Sequence, residues 1–288
     1  MSTRTPLACS CCSATAAGDY VRSGMADSLT RRVHASIVAR ESNRALADLG
    51  STLTVAHAYA IQHAIAQHRV ATGESTYGYK VGCTSRAVRE KFGIAESIYG
   101  RLWTSEQRVS GAVLHARDYA TLAIEGELAC TIVDMAGGSS TERWVVDVSP
   151  IIELHHAEWH CDVSVRAAEL VAKNGIHAGV VHYNALRKPQ HRFTLGDPAL
   201  LDIPITVTID GEVVEAPSLR ALELGGKQGP LATISWLAQR LEADGCGEQM
   251  KVGDVVLTAT PGSLIRVDAE SSVRVEFDGM VTECTVVE

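Results

Sequence analysis

The chain has 288 residues and a formal net charge of −8, with 46 % hydrophobic and 21 % charged residues, a profile typical of a globular protein. The acidic balance and the lack of a basic run argue against nucleic acid as a partner. No apolar run is long enough to cross a membrane, and we expect a cytoplasmic protein.

Composition changes twice along the chain and divides it into three parts. Residues 1–24 are small, polar and patternless and predict a disordered extension. Met25 directly precedes the first helical pattern, so we expect either that translation starts there or that the extension is dispensable. Residues 25–76 predict a helical region, and residues 77–288 predict a β-rich core.

Eight cysteines occur in the chain. Cys9, Cys11 and Cys12 cluster in the extension, but no second Cys or His pair follows at the spacing of a zinc site. The pattern therefore favours a disordered tail over a metal or redox site. The other five are scattered, mostly in apolar segments, and are typical of small buried hydrophobes in a reducing compartment.

Two helices are predicted before residue 77. Asp27 or Ser28 can cap a helix that ends at Gly50, and Thr54 can cap a second one that ends at Gly73. Apolar residues recur at helical spacing in both segments.

A strand with a lysine in it opens the β-rich part. Lys80 lies between Tyr79 and Val81 in a segment that reads as buried, and Ser85 can cap a short helix through Lys91. A lysine in such a place is either an edge residue whose amine reaches solvent or a desolvated amine near carboxylates. Spacing alone favours the edge residue.

Two acidic residues interrupt the apolar run 122–133. Glu125 and Glu127 are two apart, so in a strand they point to the same face. Two carboxylates side by side among apolar neighbours repel each other unless a cation lies between them or they share a proton. Because hard divalent cations prefer oxygen ligands, the pair predicts a divalent-metal site.

A second apolar run, 145–154, contains a further acid, Glu153. By itself Glu153 can be an edge residue; beside the first pair it makes a third carboxylate. A helix is predicted over 162–173 and a strand over 179–183. Histidines are frequent nearby, without a zinc-binding pattern, and His177 is singled out because it follows the end of that helix and can face a cleft.

The remaining pattern predicts β-structure with one clear helix. Two hairpin signals, at Asp210-Gly211 and Asp278-Gly279, are flanked by alternating apolar residues. Between them, Pro230 begins a helix that ends at Gly245. Strands and helices do not alternate regularly, so we expect an α+β fold with a mixed, curled sheet rather than a doubly wound parallel one.

Three motifs in this order resemble a known family. Gly78-Tyr-Lys80-Val-Gly82-Cys-Thr84-Ser85, Ile124-Glu125-Gly-Glu127-Leu-Ala and Gly253-Asp-Val-Val-Leu-Thr258-Ala-Thr260 look like segments of the 2-keto-4-pentenoate hydratase / 4-oxalocrotonate decarboxylase family, within the fumarylacetoacetate hydrolase superfamily. The likeness covers roughly residue 28 to the end. It implies a β-roll core, a bound Mg²⁺ or Mn²⁺ and a 2-oxo acid substrate.

The resemblance also implies roles for individual residues. Glu125, Glu127 and Glu153 match the metal ligands, and Lys80 matches the active-site lysine. The residues expected to contact substrate are Thr84, Ser85 and Thr260. A homo-oligomer is implied, with association to a sister hydratase or decarboxylase as a further expectation.

The chain departs from the family around the implied metal. Ile98 stands where many of the hydratases carry an acid, and His177 lies where a small or hydroxyl residue is usual, so His177 is a candidate proton donor. Our first expectation is a hydratase acting on 2-oxo or 2-hydroxydienoate acids of aromatic catabolism. The alternatives are a 4-oxalocrotonate-type decarboxylase, to which Ile98 leans, a C–C hydrolase, and a partner subunit without activity.

Overall fold

The structure is a computed structural model that describes residues 31, 54–157, 166–184, 190–245 and 247–288. The predicted helix before residue 50, the cysteine cluster of the extension, and two later cysteines, Cys161 and Cys246, lie outside the described residues. The proposed boundaries at 24 and 76 remain predictions. No described helix is both long enough and apolar enough to span a bilayer.

Four α-helices and sixteen strands are described. The helices are α1 Val55–Ala71, α2 Arg86–Phe92, α3 Arg166–Ala172 and α4 Gly229–Asp244. The strands are β1 Thr76–Gly82, β2 Ile98–Trp103, β3 Gln107–Val109, β4 Ala112–His115, β5 Leu122–Asp134, β6 Val145–His156, β7 His177–His182, β8 His191–Thr194, β9 Thr206–Ile209, β10 Glu212–Glu215, β11 Glu223–Leu224, β12 Lys227–Gln228, β13 Val255–Leu257, β14 Ile265–Arg266, β15 Ser271–Phe277 and β16 Met280–Val287.

The two predicted caps are confirmed. The Thr54 side chain accepts a hydrogen bond from the backbone N–H of His57 at the start of α1, and the Ser85 side chain accepts one from Val88 at the start of α2. Each bond satisfies a backbone donor that the first turn of a helix leaves free.

Two sheets form the body of the fold. The larger has nine strands in the order β2-β1-β13-β5-β6-β7-β3, with β14 beside β5 and β8 beside β6; the smaller has the order β10-β9-β15-β16-β4. Both contain parallel and antiparallel pairs. The predicted α+β fold with a mixed, curled sheet is confirmed.

The long hairpin β5–β6 presents two different faces. Most of its even-numbered residues, among them Ile124, Leu128 and Ile152, belong to the main core, which includes Val207 and Val275 of the smaller sheet. Its odd-numbered residues point to the opposite side. A separate apolar cluster joins α1, α3 and the start of β2.

Gly126 fits the close approach of the two sheets. A Cβ atom there would lie 2.5 Å from Cγ2 of Val207, so the glycine between the two acids is required by packing on the core face. The acids on either side of it point the other way.

Candidate metal centre and cleft

Strand pairing brings the three predicted carboxylates to one face. Glu125 of β5 lies directly opposite Glu153 of β6, and Glu127 follows two residues along β5. Because directly opposite residues share a face, all three side chains stand on the odd-numbered side of the hairpin.

His155 completes a cluster that can bind a metal. Glu125, Glu153 and His155 each offer one ligand atom, and these atoms lie within 4.8 Å of one another. His155 Nε2 is 3.2 Å from Glu125 Oε2 and 3.7 Å from Glu153 Oε2. Carboxylate oxygens with one imidazole nitrogen are a donor set that suits a divalent cation.

Glu127 lies in an environment that disfavours its ionised form. It has no exposed surface, and neither of its carboxyl oxygens has a hydrogen-bond partner among the described residues. Burial, followed by the charges of Glu153 and Glu125, raises its pKa well above the ordinary value. A bound cation stabilises buried carboxyl oxygens that lie beside other carboxylates and lack hydrogen-bond partners.

Lys80 is the cation of this cluster. Its Nζ lies 3.2 Å from Glu153 Oε1, and both side chains are buried. Burial by itself lowers the pKa of the lysine, but the three carboxylates outweigh burial and raise it. Lys80 is therefore a buried ammonium ion, and the interpretation as an edge lysine is wrong.

A buried histidine also holds Glu153. His177 Nδ1 lies 2.7 Å from Glu153 Oε1, and the His177 side chain is fully buried. Burial raises the pKa of Glu153, but Lys80 and two neighbouring histidines outweigh burial and hold it well below its usual range. The structure does not place His177 in the cleft; it lines a separate cavity of about 230 Å³.

A cleft of about 650 Å³ leads to the cluster. Lys80, Glu125 and His155 line its inner end, and the predicted substrate contacts Thr84, Ser85 and Thr260 line it as well. Two of these hydroxyls also serve the backbone, since Ser85 caps α2 and Thr260 Oγ1 accepts a hydrogen bond from the N–H of Gly262.

A turn with unusual backbone geometry lies beside Lys80 at the wall of the cleft. Asn174, Gly175 and Ile176 all have positive φ, of 56°, 67° and 57°, which costs free energy for a β-branched residue such as Ile176. The Asn174 side chain holds the turn by accepting a hydrogen bond from Arg101 N–H and donating one to Arg101 C=O. The turn places the carbonyl oxygen of Gly175 3.4 Å from Lys80 Nζ.

Sequence reasoning identified most of this site but not all of it. The structure groups the three carboxylates with Lys80 and places the three hydroxyl residues along the cleft. His155 was missed, because it lay in a histidine cluster without metal-site spacing. The alternation that places His155 two residues after Glu153 on the same face was the available signal.

Known proteins similar to this chain were found by sequence. A 2-keto-4-pentenoate hydratase of Paraburkholderia phymatum is 26 % identical over 234 residues, covering 77 % of this chain and 82 % of its own length. A 4-oxalocrotonate decarboxylase of a Pseudomonas species is 24 % identical over 232 residues, covering 79 % and 85 %. No family model matches the chain.

A solved structure shares the fold. The 4-oxalocrotonate decarboxylase of Pseudomonas putida G7, complexed with magnesium and adipate, superimposes with a TM-score of 0.76 at 19 % identity. The match covers 91 % of this chain and 97 % of that one.

Proposed function

Since this chain is related to the 2-keto-4-pentenoate hydratase / 4-oxalocrotonate decarboxylase family, as its three motifs predicted, we propose that it is a metal-dependent lyase acting on 2-oxo or 2-hydroxydienoate acids of aromatic catabolism. The observation that carries the proposal is the group of three carboxylates, two of them fully buried, beside a buried lysine at the inner end of a cleft.

A divalent cation fits this group, and the hard oxygen donors favour Mg²⁺ or Mn²⁺. Glu125 and Glu153 would hold it together with Glu127, whose oxygens lack partners, and His155 stands beside them as a further donor. When bound, such a cation supplies Lewis acidity that stabilises negative charge developing on a keto oxygen.

The other residues of the site prepare it for a 2-oxo acid. Lys80 is a fixed positive charge at the inner end of the cleft, where it attracts a substrate carboxylate or an enolate oxygen. His177 and Lys80 contact the same oxygen of Glu153, so His177 orients that carboxylate and acts as a positioning residue. Thr84 and Thr260 supply hydroxyl groups along the cleft.

Hydration of a conjugated dienoate is the first reaction to test. Turnover of 2-hydroxypenta-2,4-dienoate is expected with Mg²⁺, and a loss of at least 100-fold is expected after chelation or in E127Q. E212Q is a matched control, because Glu212 is an exposed residue of an outer strand. Equal activity of the wild type with metal, the wild type without metal and E127Q would refute the proposal.

Decarboxylation is a second candidate because of Ile98. This residue is 2 % exposed and lines the cleft, so an apolar side chain stands where a hydratase of the family commonly has an acid. A 2-oxohexenedioate that releases CO₂ without adding water would identify the chain as a decarboxylase.

Metal binding can be tested apart from turnover. Mg²⁺ is expected to raise the melting temperature of the wild type, because a ligand that binds only the folded state stabilises it. E125Q should respond much less than E212Q. A protein that binds metal and 2-oxo acid without turnover of either substrate would instead be a partner subunit.

A further inference from the structure

An arginine lies on the same sheet face as the metal cluster. Arg266 of β14 pairs with Ala123 of β5, which in turn pairs with His155 of β6. Opposite residues share a face, so these three residues form a row beside the row of Glu125 and Glu153. The Arg266 side chain lines the cleft.

Arg266 differs from the neighbouring cations in having its donors available. Lys80 is paired with Glu153, and Arg89 donates to the carbonyls of Cys83 and Thr84. Within the described ranges Arg266 makes no hydrogen bond and no ion pair. An exposed guanidinium therefore faces the cleft with its planar set of N–H donors available for a ligand.

The position of Arg266 sets a distance along the substrate. Its partner Ala123 is two residues from Glu125, a spacing of about 6.7 Å along a strand. A six-carbon 2-oxo acid, held at the cluster by its keto end, reaches a comparable distance when extended. The cleft wall also contains apolar side chains, including Phe92 and the 44 % exposed Leu264, which suit a hydrocarbon chain.

We propose that Arg266 binds a second carboxylate at the far end of the substrate, so that the cleft selects 2-oxo dicarboxylic acids over monocarboxylic ones. This inference rests on the proposed function and holds for either reaction. A guanidinium binds a carboxylate through two parallel hydrogen bonds. Without Arg266, the second carboxylate of the substrate would enter a site that already contains several carboxylates.

Two ligands of equal length test the selection. Isothermal titration of the full chain with saturating Mg²⁺ compares 2-oxohexanedioate with 2-oxohexanoate. The wild type should bind the dicarboxylate at least tenfold more tightly, as expected for a charge-assisted pair, and this ratio should fall about tenfold in R266Q. R108Q is the control, since Arg108 is an exposed strand residue away from the cleft, and it should keep the wild-type ratio.

The competing cation of the cleft is Lys91, which lies over its neighbour Phe92. The inference would be overturned if the wild type did not prefer the dicarboxylate, if R266Q kept the preference, or if K91Q lost it instead. Binding of either acid with Mg²⁺ would still leave the proposed function standing. If neither acid binds with the metal present, the proposed function fails and the inference fails with it.

Discussion

Replacing Gly126 by alanine is expected to destabilise the protein through the core face while disturbing the metal site on the other face. The new Cβ would lie 2.5 Å from Cγ2 of Val207, well inside the 3.4 Å at which ordinary contact begins, and 3.4 Å from Val275. Overpacking of this kind costs about 1–3 kcal/mol. The lower entropy of the unfolded alanine chain offsets about 0.4–1 kcal/mol, so the net loss is about 1–2 kcal/mol.

Removing the clashing methyl groups of Val207 should relieve the overpacking that G126A introduces. V207A by itself deletes two buried methyl groups and should cost about 2 kcal/mol, from transfer and cavity terms together. In the double variant the methyl group introduced at position 126 occupies part of that space. The loss in the double variant should therefore be about 1–2 kcal/mol, well below the sum of the two single losses.

Urea unfolding of the four proteins in chelator measures this cycle, with the midpoint and slope giving each free energy. The rise in melting temperature on adding Mg²⁺ measures metal binding on the opposite face of the hairpin. This rise should be smaller in G126A, where β5 shifts away from Val207, and should recover in the double variant. Free energies that add within about 0.5 kcal/mol would refute the packing argument, because residues in contact should couple more strongly than that.

Three other changes follow from the same geometry. E127Q should leave the metal-free protein as stable as the wild type or more so, since it removes a carboxyl group whose ionisation is disfavoured by burial and by Glu153. Most of the stabilisation by Mg²⁺ should be lost in E127Q, and both effects are read from thermal melts. G175A places a Cβ 3.0 Å from Lys80 Nζ at a φ of +67°, so turnover should fall at least tenfold with an unchanged circular dichroism spectrum. Burial and His177 lower the pKa of His182 from 6.5 to about 4, so between these pH values the folded state holds His182 neutral while the unfolded chain takes up a proton. The free energy of unfolding should therefore fall by up to about 3 kcal/mol as pH drops from about 6.5 to 4. In H182Q this contribution to the pH dependence should be absent.

The elements of the fold were predictable where local chemistry determines them. Thr54 and Ser85 cap helices because their hydroxyls satisfy free backbone N–H groups of the first turn, which is a property of a few adjacent residues. The turns at Asp210-Gly211 and Asp278-Gly279 join antiparallel strands as expected, since they require positive φ and these residues adopt it readily.

Strand register, in contrast, cannot be obtained from one segment at a time. Periodicity placed Glu125 and Glu127 on one face of one strand, but the pairing of Glu125 with Glu153 depends on the length of the β5–β6 connection. His177 shows the same limit: it begins β7, two residues before the strand predicted over 179–183, and it reaches Glu153 because β7 lies beside β6. Non-local pairing decided both contacts.

The burial of Lys80 follows from electrostatics that only the assembled fold contains. An isolated lysine in a strand is more stable at an edge, where its ammonium group stays hydrated. Once three carboxylates are brought to the same face, the cost of burying the ammonium ion is outweighed by their attraction. The lysine and the acids are thus each unfavourable alone and favourable together, although one lysine cannot neutralise three carboxylates. The remaining negative charge is what a divalent cation would offset, and for this reason the metal-free protein should gain stability both from Mg²⁺ and from the loss of one carboxylate.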